Sequence, residues 1–176
     1  ASCFSFYANK IVTTGEGGMV LTDDDDLAAR LRDGRNLCFG RQNRFAHEQL
    51  GHNFRLTNLQ AALGVAQLGR IEAILERKRW LGRNYTARLA GLSGLQLPCE
   101  KHWAHNVWWM YGVVLEDGVP FDAVECARRL KARGVDTRPF FLGLHEQPVL
   151  RRRGWYAGLC LPVTERIARR GLYLPS

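Results

Sequence analysis

Ser5-Phe6-Tyr7-Ala8-Asn9-Lys10-Ile11-Val12-Thr13-Thr14-Gly15-Glu16-Gly17-Gly18-Met19-Val20 is the stretch on which the reading of this chain turns. Residues 10–14 and 18–22 are β-branched or apolar, and Gly15-Glu16-Gly17 separates them. That pattern predicts two short strands joined by a glycine turn. The glycines read as permissive backbone beside Lys10. They do not read as a phosphate-cradling loop, since no Lys-Ser/Thr pair follows and no GxGxxG pattern continues. Asp23 to Asp26 then give way to Leu27, Ala28 and Leu31, with Arg30 and Arg32 among them. An acidic start and a basic finish suit the helix dipole, so a helix is predicted over residues 24–34.

Further along, residues 39–51 carry Gly, Gln and Asn with weak periodicity and read as a loop. Thr57 is a good N-cap, and Gln60 stands three residues on, the spacing of a capping box. Behind it Leu59, Ala62, Leu63, Ala66, Ile71, Ile74 and Leu75 recur at helical spacing. One long amphipathic helix continuing to Leu89 is predicted. Gly91, Ser93, Gly94 and Pro98 end it, which places a domain boundary between residues 92 and 93. Residues 107–115 read as a strand, with a turn at Glu116-Asp117-Gly118. A helix over residues 121–133 would turn Phe121, Val124, Ala127 and Leu130 inward, and residues 135–138 lead into another strand. The order strand, helix, strand predicts a small α/β lobe, with Trp103, Trp108, Trp109 and Tyr111 in its core.

Composition narrows the function classes. The 176 residues suffice for one domain or one plus a small lobe, and 46% apolar with 24% charged residues is the balance of a globular chain. No uncharged apolar run approaches the ~20 residues that cross a bilayer. The net charge is +8, but the basic residues sit in separate segments, and Arg151-Arg152-Arg153 is the only run of three arginines. Without a helix-turn-helix, RNP or KH pattern, nucleic acid is not expected as a partner. Cys3, Cys38, Cys99, Cys126 and Cys160 form no CxxC clip, so no metal site is expected. Their odd number and wide spacing suit reduced, buried thiols in a cytoplasmic protein. The chain opens Ala1-Ser2-Cys3-Phe4 and stops at Leu174-Pro175-Ser176, which sets the expectation of a piece cut from a longer polypeptide.

Three blocks carry a resemblance that composition alone does not give. The first is the quoted stretch. The second is Gly51-His52-Asn53-Phe54-Arg55-Leu56-Thr57-Asn58-Leu59-Gln60-Ala61-Ala62, and the third is Thr137-Arg138-Pro139-Phe140-Phe141 with Leu144-His145-Glu146-Gln147-Pro148. In this order they resemble the DegT/DnrJ/EryC1/StrS family, whose members are pyridoxal-phosphate (PLP) sugar aminotransferases. The resemblance implies an α/β chain of PLP-dependent transferase fold type I, aspartate aminotransferase-like. Residues 1–92 would be the C-terminal part of the large, cofactor-binding domain and residues 93–176 a small α/β domain.

The same resemblance assigns the site. Lys10 would be the Schiff-base lysine, a residue type whose amine is readily tuned by burial and neighbouring charge. Ser5 would donate its hydroxyl to the cofactor phosphate, a charge-assisted bond. Asn53 and Arg55 would reach the phosphate end of the neighbouring subunit's cofactor, which implies a homodimer with shared active sites. Arg138 and His145 would face a nucleotide-sugar diphosphate across a cleft. The implied reaction moves an amino group from an amino-acid donor such as glutamate to a keto-sugar nucleotide. A related dehydratase branch has histidine in place of this lysine, so Lys10 favours the transferase. The family's carboxylate to the pyridinium nitrogen, ring-stacking residue and phosphate loop lie upstream of its lysine, so little activity is expected of this chain alone. A fragment acting through partner binding or self-association, or a basic polyanion-binding module, are the alternatives.

Overall fold

The structure, a computed structural model, describes residues 1–40 and 43–176. Arg41 and Gln42, within the predicted loop at 39–51, lie outside the described residues. The chain divides into two compact units, Ala1–Ile74 and Leu75–Ser176.

The first unit opens with an antiparallel hairpin, β1 (Ser2–Ser5) on β2 (Gly18–Leu21), with Phe4 opposite Met19 and Ser5 opposite Gly18. Gly18 to Leu21 is the predicted second strand. Its partner differs from expectation, because residues 10–14 are not a strand and the pairing strand lies ahead of Lys10. The cause is a competing set of bonds. The Thr14 N–H and the Thr13 hydroxyl both donate to the Phe6 carbonyl, at 2.9 and 3.0 Å, and fold the segment back on itself.

Helix α1 (Asp25–Arg35) forms as its charges dictate. Asp24 caps it by accepting from the Leu27 N–H at 2.9 Å, Asp25 and Asp26 fill the first turn, and Arg32 and Arg35 the last. Helix α2 (Asn58–Leu68) starts at Thr57 with both bonds of the capping box in place. The single long helix expected through Leu89 is interrupted after Leu68. Arg70 N–H bonds the Gln67 carbonyl at 2.9 Å, a tighter closure than an α-turn, and the chain restarts as α3 (Ile71–Leu89). Gly69, a poor helix former, stands at the break.

The second unit is built on a four-stranded antiparallel sheet. Its strands are β3 (Leu95–Gln96), β4 (Tyr111–Leu115), β5 (Arg138–Pro139) and β6 (Gly171–Leu174), in spatial order β3-β4-β6-β5. Helices α4 (Ala123–Lys131), α5 (Pro148–Arg151) and α6 (Pro162–Arg170) complete it. The core gathers Trp108, Tyr111, Val113, Ala123 and Leu172, with Tyr85 and Leu89 of α3 and Cys126 and Leu130 of α4 against them. Tyr85 and Leu89 explain why the division between units falls inside α3 rather than in the glycine-rich stretch near 92: this half of the helix shares the core of the sheet.

Three expectations about burial are corrected. Trp103 is 73% exposed, on a turn ahead of β4, whereas Trp108 and Tyr111 are buried. Val124 is also 73% exposed, because α4 turns Ala123, Cys126 and Leu130 to the core instead. Cys3, Cys99 and Cys160 are exposed rather than buried, Cys3 because its hairpin has no apolar layer over it in this unit.

Gly82 of α3 is buried where the Trp108 indole crosses the helix, and a Cβ there would overlap the ring. Helix propensity favours Ala over Gly by about 1 kcal/mol, while overpacking a filled core costs about 1–3 kcal/mol. Trp108 has little room to yield, since its backbone sits in the left-handed region at φ +54° and its N–H is tied to Asn106 Oδ1 at 2.8 Å. Gly82→Ala is therefore expected to destabilise the second unit by up to about 2 kcal/mol in urea unfolding; a stabilised variant would contradict this packing.

Candidate active site

Lys10 stands at the end of a tight turn, half-buried, with its backbone N–H on the Tyr7 carbonyl at 2.9 Å. The base of that turn is the Phe6 carbonyl holding Thr14 and Thr13. Phe6 N–H in turn reaches the Gly17 carbonyl at 2.9 Å and carries the β1–β2 pairing one step further. Gly15 and Gly17 take φ of +79° and +143°, a region that glycine enters at little cost. Ser5 closes β1 with its side chain exposed. Its oxygen accepts from the Tyr7 N–H at 3.4 Å, which leaves the hydroxyl hydrogen able to donate elsewhere.

The return of this connection lies along one face of α2. Gln60 donates from Nε2 to the Glu16 carbonyl at 3.1 Å, while its Oε1 accepts from the Thr57 N–H at 3.0 Å. One turn on, a Cβ at Gly64 would come to 3.1 Å from Thr14 Cγ2, so the bare glycine lets Thr14 lie close. At the next turn Gln67 takes both polar groups of one residue: Oε1 accepts from the Thr13 N–H at 3.1 Å and Nε2 donates to the Thr13 carbonyl at 2.7 Å. Thr14, 4% exposed, is the only buried residue among the described ones in this unit. Reasoning from sequence missed Gln60, Gly64 and Gln67 as site-building residues. The available signal was their i, i+4, i+7 spacing, a polar and glycine stripe on an otherwise apolar helix.

Asn53 and Arg55 are exposed on a separate extended segment of the same unit. It is tied to the end of α1 by His52 N–H to Gly34 O at 2.7 Å, Phe54 N–H to Arg35 O at 2.9 Å, and a bridge between Asn36 and Asn53. The structure thus places Ser5 and Lys10 on one hairpin connection, with Asn53 and Arg55 on a neighbouring segment in sequence. Arg138 and His145 belong to the second unit.

In that unit Arg138 is exposed at β5, its guanidinium 5.3 Å from the centre of the Phe141 ring. His145 does not present an open contact. Its side chain is 3% exposed and its Nε2 lies 3.1 Å from Glu165 Oε1, a geometry in which the ring N–H donates to the carboxylate. Arg169 links Glu165 of the same helix to Glu146, at 3.6 and 2.8 Å. The expectation that His145 faces substrate is thus met by a closed ring, held by α6. The Leu161 N–H, first, and then His145 hold the Glu165 carboxyl below its usual range.

A family model described as the DegT/DnrJ/EryC1/StrS aminotransferase family matches residues 1–176. The chain belongs to this family. A GDP-perosamine synthase of Caulobacter vibrioides is 39% identical over 178 residues, covering 98% of this chain and 46% of the relative. Two solved structures superpose closely. One is DesV of Streptomyces venezuelae in complex with a ketimine intermediate, with a TM-score of 0.81 at 34% identity, covering 98% of this chain and 45% of that one. The other is the aminotransferase TlmJ of Streptoalloteichus hindustanus, at 0.85 and 30%, with the same two coverages. The chain thus has part of PLP-dependent transferase fold type I, and it spans about half the length of the relatives it matches. DegT/DnrJ/EryC1/StrS aminotransferases are PLP-dependent. Among the described residues, no helix is long and apolar enough to cross a membrane, and no group of His, Cys, Asp and Glu side chains is arranged to hold a metal ion.

The Glu165 arrangement has a pH consequence. A carboxyl whose folded pKa is lowered contributes stability above its unfolded value, 4.5, and loses that contribution as pH falls through the folded value. Stability is therefore expected to fall between about pH 6 and pH 3, and to fall less in Glu165→Gln. Glu125, held down to about 2 by Arg128 and Arg129, contributes equally in both proteins. Urea midpoints across this range check the expectation; parallel curves would remove Glu165 from it.

Proposed function

We propose that the intact protein is a PLP-dependent aminotransferase that moves an amino group from an amino acid, glutamate in the first instance, to a keto-sugar nucleotide. Lys10 is the residue that bonds the cofactor. The observation that carries this reading is the placing of Lys10 on a turn fixed at its base, half-buried, a few residues from an exposed hydroxyl free to donate.

The donor set fits the group. The Lys10 amine suits an aldehyde, and the Ser5 hydroxyl, the Asn53 amide and the Arg55 guanidinium suit a phosphate dianion. When bound, PLP supplies an electron sink for the carbon from which a proton is removed. The chain's own residues do the rest. Ser5 anchors the phosphate end beside the hairpin, and the Lys10 nitrogen, once neutral, is the base that takes and returns that proton. Arg138 of the second unit offers a guanidinium to a diphosphate. His145, already engaged by Glu165, has a weaker claim on substrate.

Asn53 and Arg55 serve the site of a second copy in this reading, so the enzyme is a homodimer, and it is cytoplasmic. The exposed apolar side chains of the first unit, Phe4, Met19, Leu59, Leu63 and Val65 among them, support it. They make a surface that the remaining length of the enzyme and a second copy would cover.

The test uses the full-length protein incubated with PLP and reduced with borohydride. A pyridoxyl group is expected on Lys10, and Lys10→Ala is expected to lower amino transfer by at least about a thousandfold. Label only on other lysines, or full activity in the variant, would overturn the reading.

A further inference from the structure

We propose that Gln67 is a positioning residue for Lys10: its amide, bonded at both ends to Thr13, fixes where the lysine stands. The inference rests on Lys10 being the cofactor lysine and adds to that reading the device that holds it.

Thr13 has no neighbouring strand. A residue in a strand gives its N–H and C=O to a neighbouring strand, and residues 10–14 have none. Leaving both groups without partners in a half-buried position would be costly. Gln67 answers both with one planar amide, at 3.1 and 2.7 Å, acting as a strand edge of a single residue. Only an amide side chain accepts and donates in this way.

The bond acts on Lys10 because of what lies between them. From Lys10 the chain runs three residues to Thr13, and the turn is shut at its base by the bonds of Thr13 and Thr14 to the Phe6 carbonyl. A rotation of the Thr13 peptide is therefore carried into the turn that ends at Lys10. Gly64 and Gln60 of α2 meet the connection further along the chain, at Thr14 and Glu16. Gln67 bonds the connection closer in sequence to Lys10 than either, and it is anchored on a regular helix whose own start is capped. Its Nε2 also lies 3.4 Å from the Leu63 carbonyl, which steadies the side chain along the helix.

The experiment compares full-length wild type with Gln67→Met, which removes both bonds, and Gln67→Glu, which keeps the length but cannot donate to the Thr13 carbonyl. Each is exposed briefly to PLP with cyanoborohydride, and the rate of pyridoxyl labelling is read at Lys10 and at Lys78, Lys101 and Lys131 by peptide mass spectrometry. Thermal melts run alongside. Both variants are expected to label Lys10 at least about tenfold more slowly, with the other lysines unchanged, because an ångström of misplacement is costly at a reacting centre. Labelling of Lys10 at the wild-type rate in both variants overturns the inference and leaves the proposed function standing. So does a uniform change at every lysine, or loss of the fold in both variants, which would make Gln67 purely structural. A wild-type protein that takes no label at Lys10 defeats the proposed function, and this inference with it.

Discussion

A planar side-chain amide and a planar peptide group are chemically alike, and the first unit depends on that likeness. The segment carrying Lys10 has no sheet to join on the side where Thr13 needs one, so a helix supplies the missing partner through Gln67. Gln60 repeats the device two turns earlier with the Glu16 carbonyl, and its other end closes the helix cap. Together with the bonds to the Phe6 carbonyl, these glutamines order the connection by hydrogen bonding, because this unit buries no apolar side chain among the described residues. A hydrogen bond contributes only about 1 kcal/mol net, so such an arrangement gains its value from direction. It specifies a position more than it adds stability.

The two units are held by different forces. In the second, Trp108, Tyr111, Val113, Ala123 and Leu172 make a dry centre. Tyr111 within it is fully buried, and its hydroxyl meets Thr86 Oγ1 at 2.9 Å. Arg170 adds a polar clasp, donating to the carbonyls of Leu115, Glu116 and Val119 around the turn after β4. In the first, β1, β2 and α2 turn apolar side chains outward. A hairpin and a helix with so much uncovered apolar surface are built to be layered against more protein, which agrees with a chain about half as long as its relatives.

Much of this was legible in the residues. The charge gradient of α1 and the Thr57–Gln60 cap are local signals, and local bonds made them true. The failures share a cause as well. Residues 10–14 are rich in β-branched side chains and would pair if a neighbour were available, but the Phe6 carbonyl holds Thr13 and Thr14, and a glutamine distant in sequence takes the Thr13 backbone. The helix through Leu89 broke at Gly69 because apolar spacing continues across a point where the backbone does not. At the candidate site, Lys10 and Ser5 are proposed by resemblance, since a motif preserves order. His145 is proposed the same way, but its burial against Glu165 depends on a helix folding back from twenty residues further on. No spacing rule conveys that.

The central claim is that the lysine-bearing connection is rigid because α2 holds it. Amide hydrogen exchange at Thr13 in the intact protein addresses this directly, since that N–H is bonded to a side chain and to no strand. The result expected is exchange at least about a hundredfold slower than in an unstructured peptide. Exchange of Thr13 as fast as that of the exposed turn at Asp117-Gly118 would contradict the account.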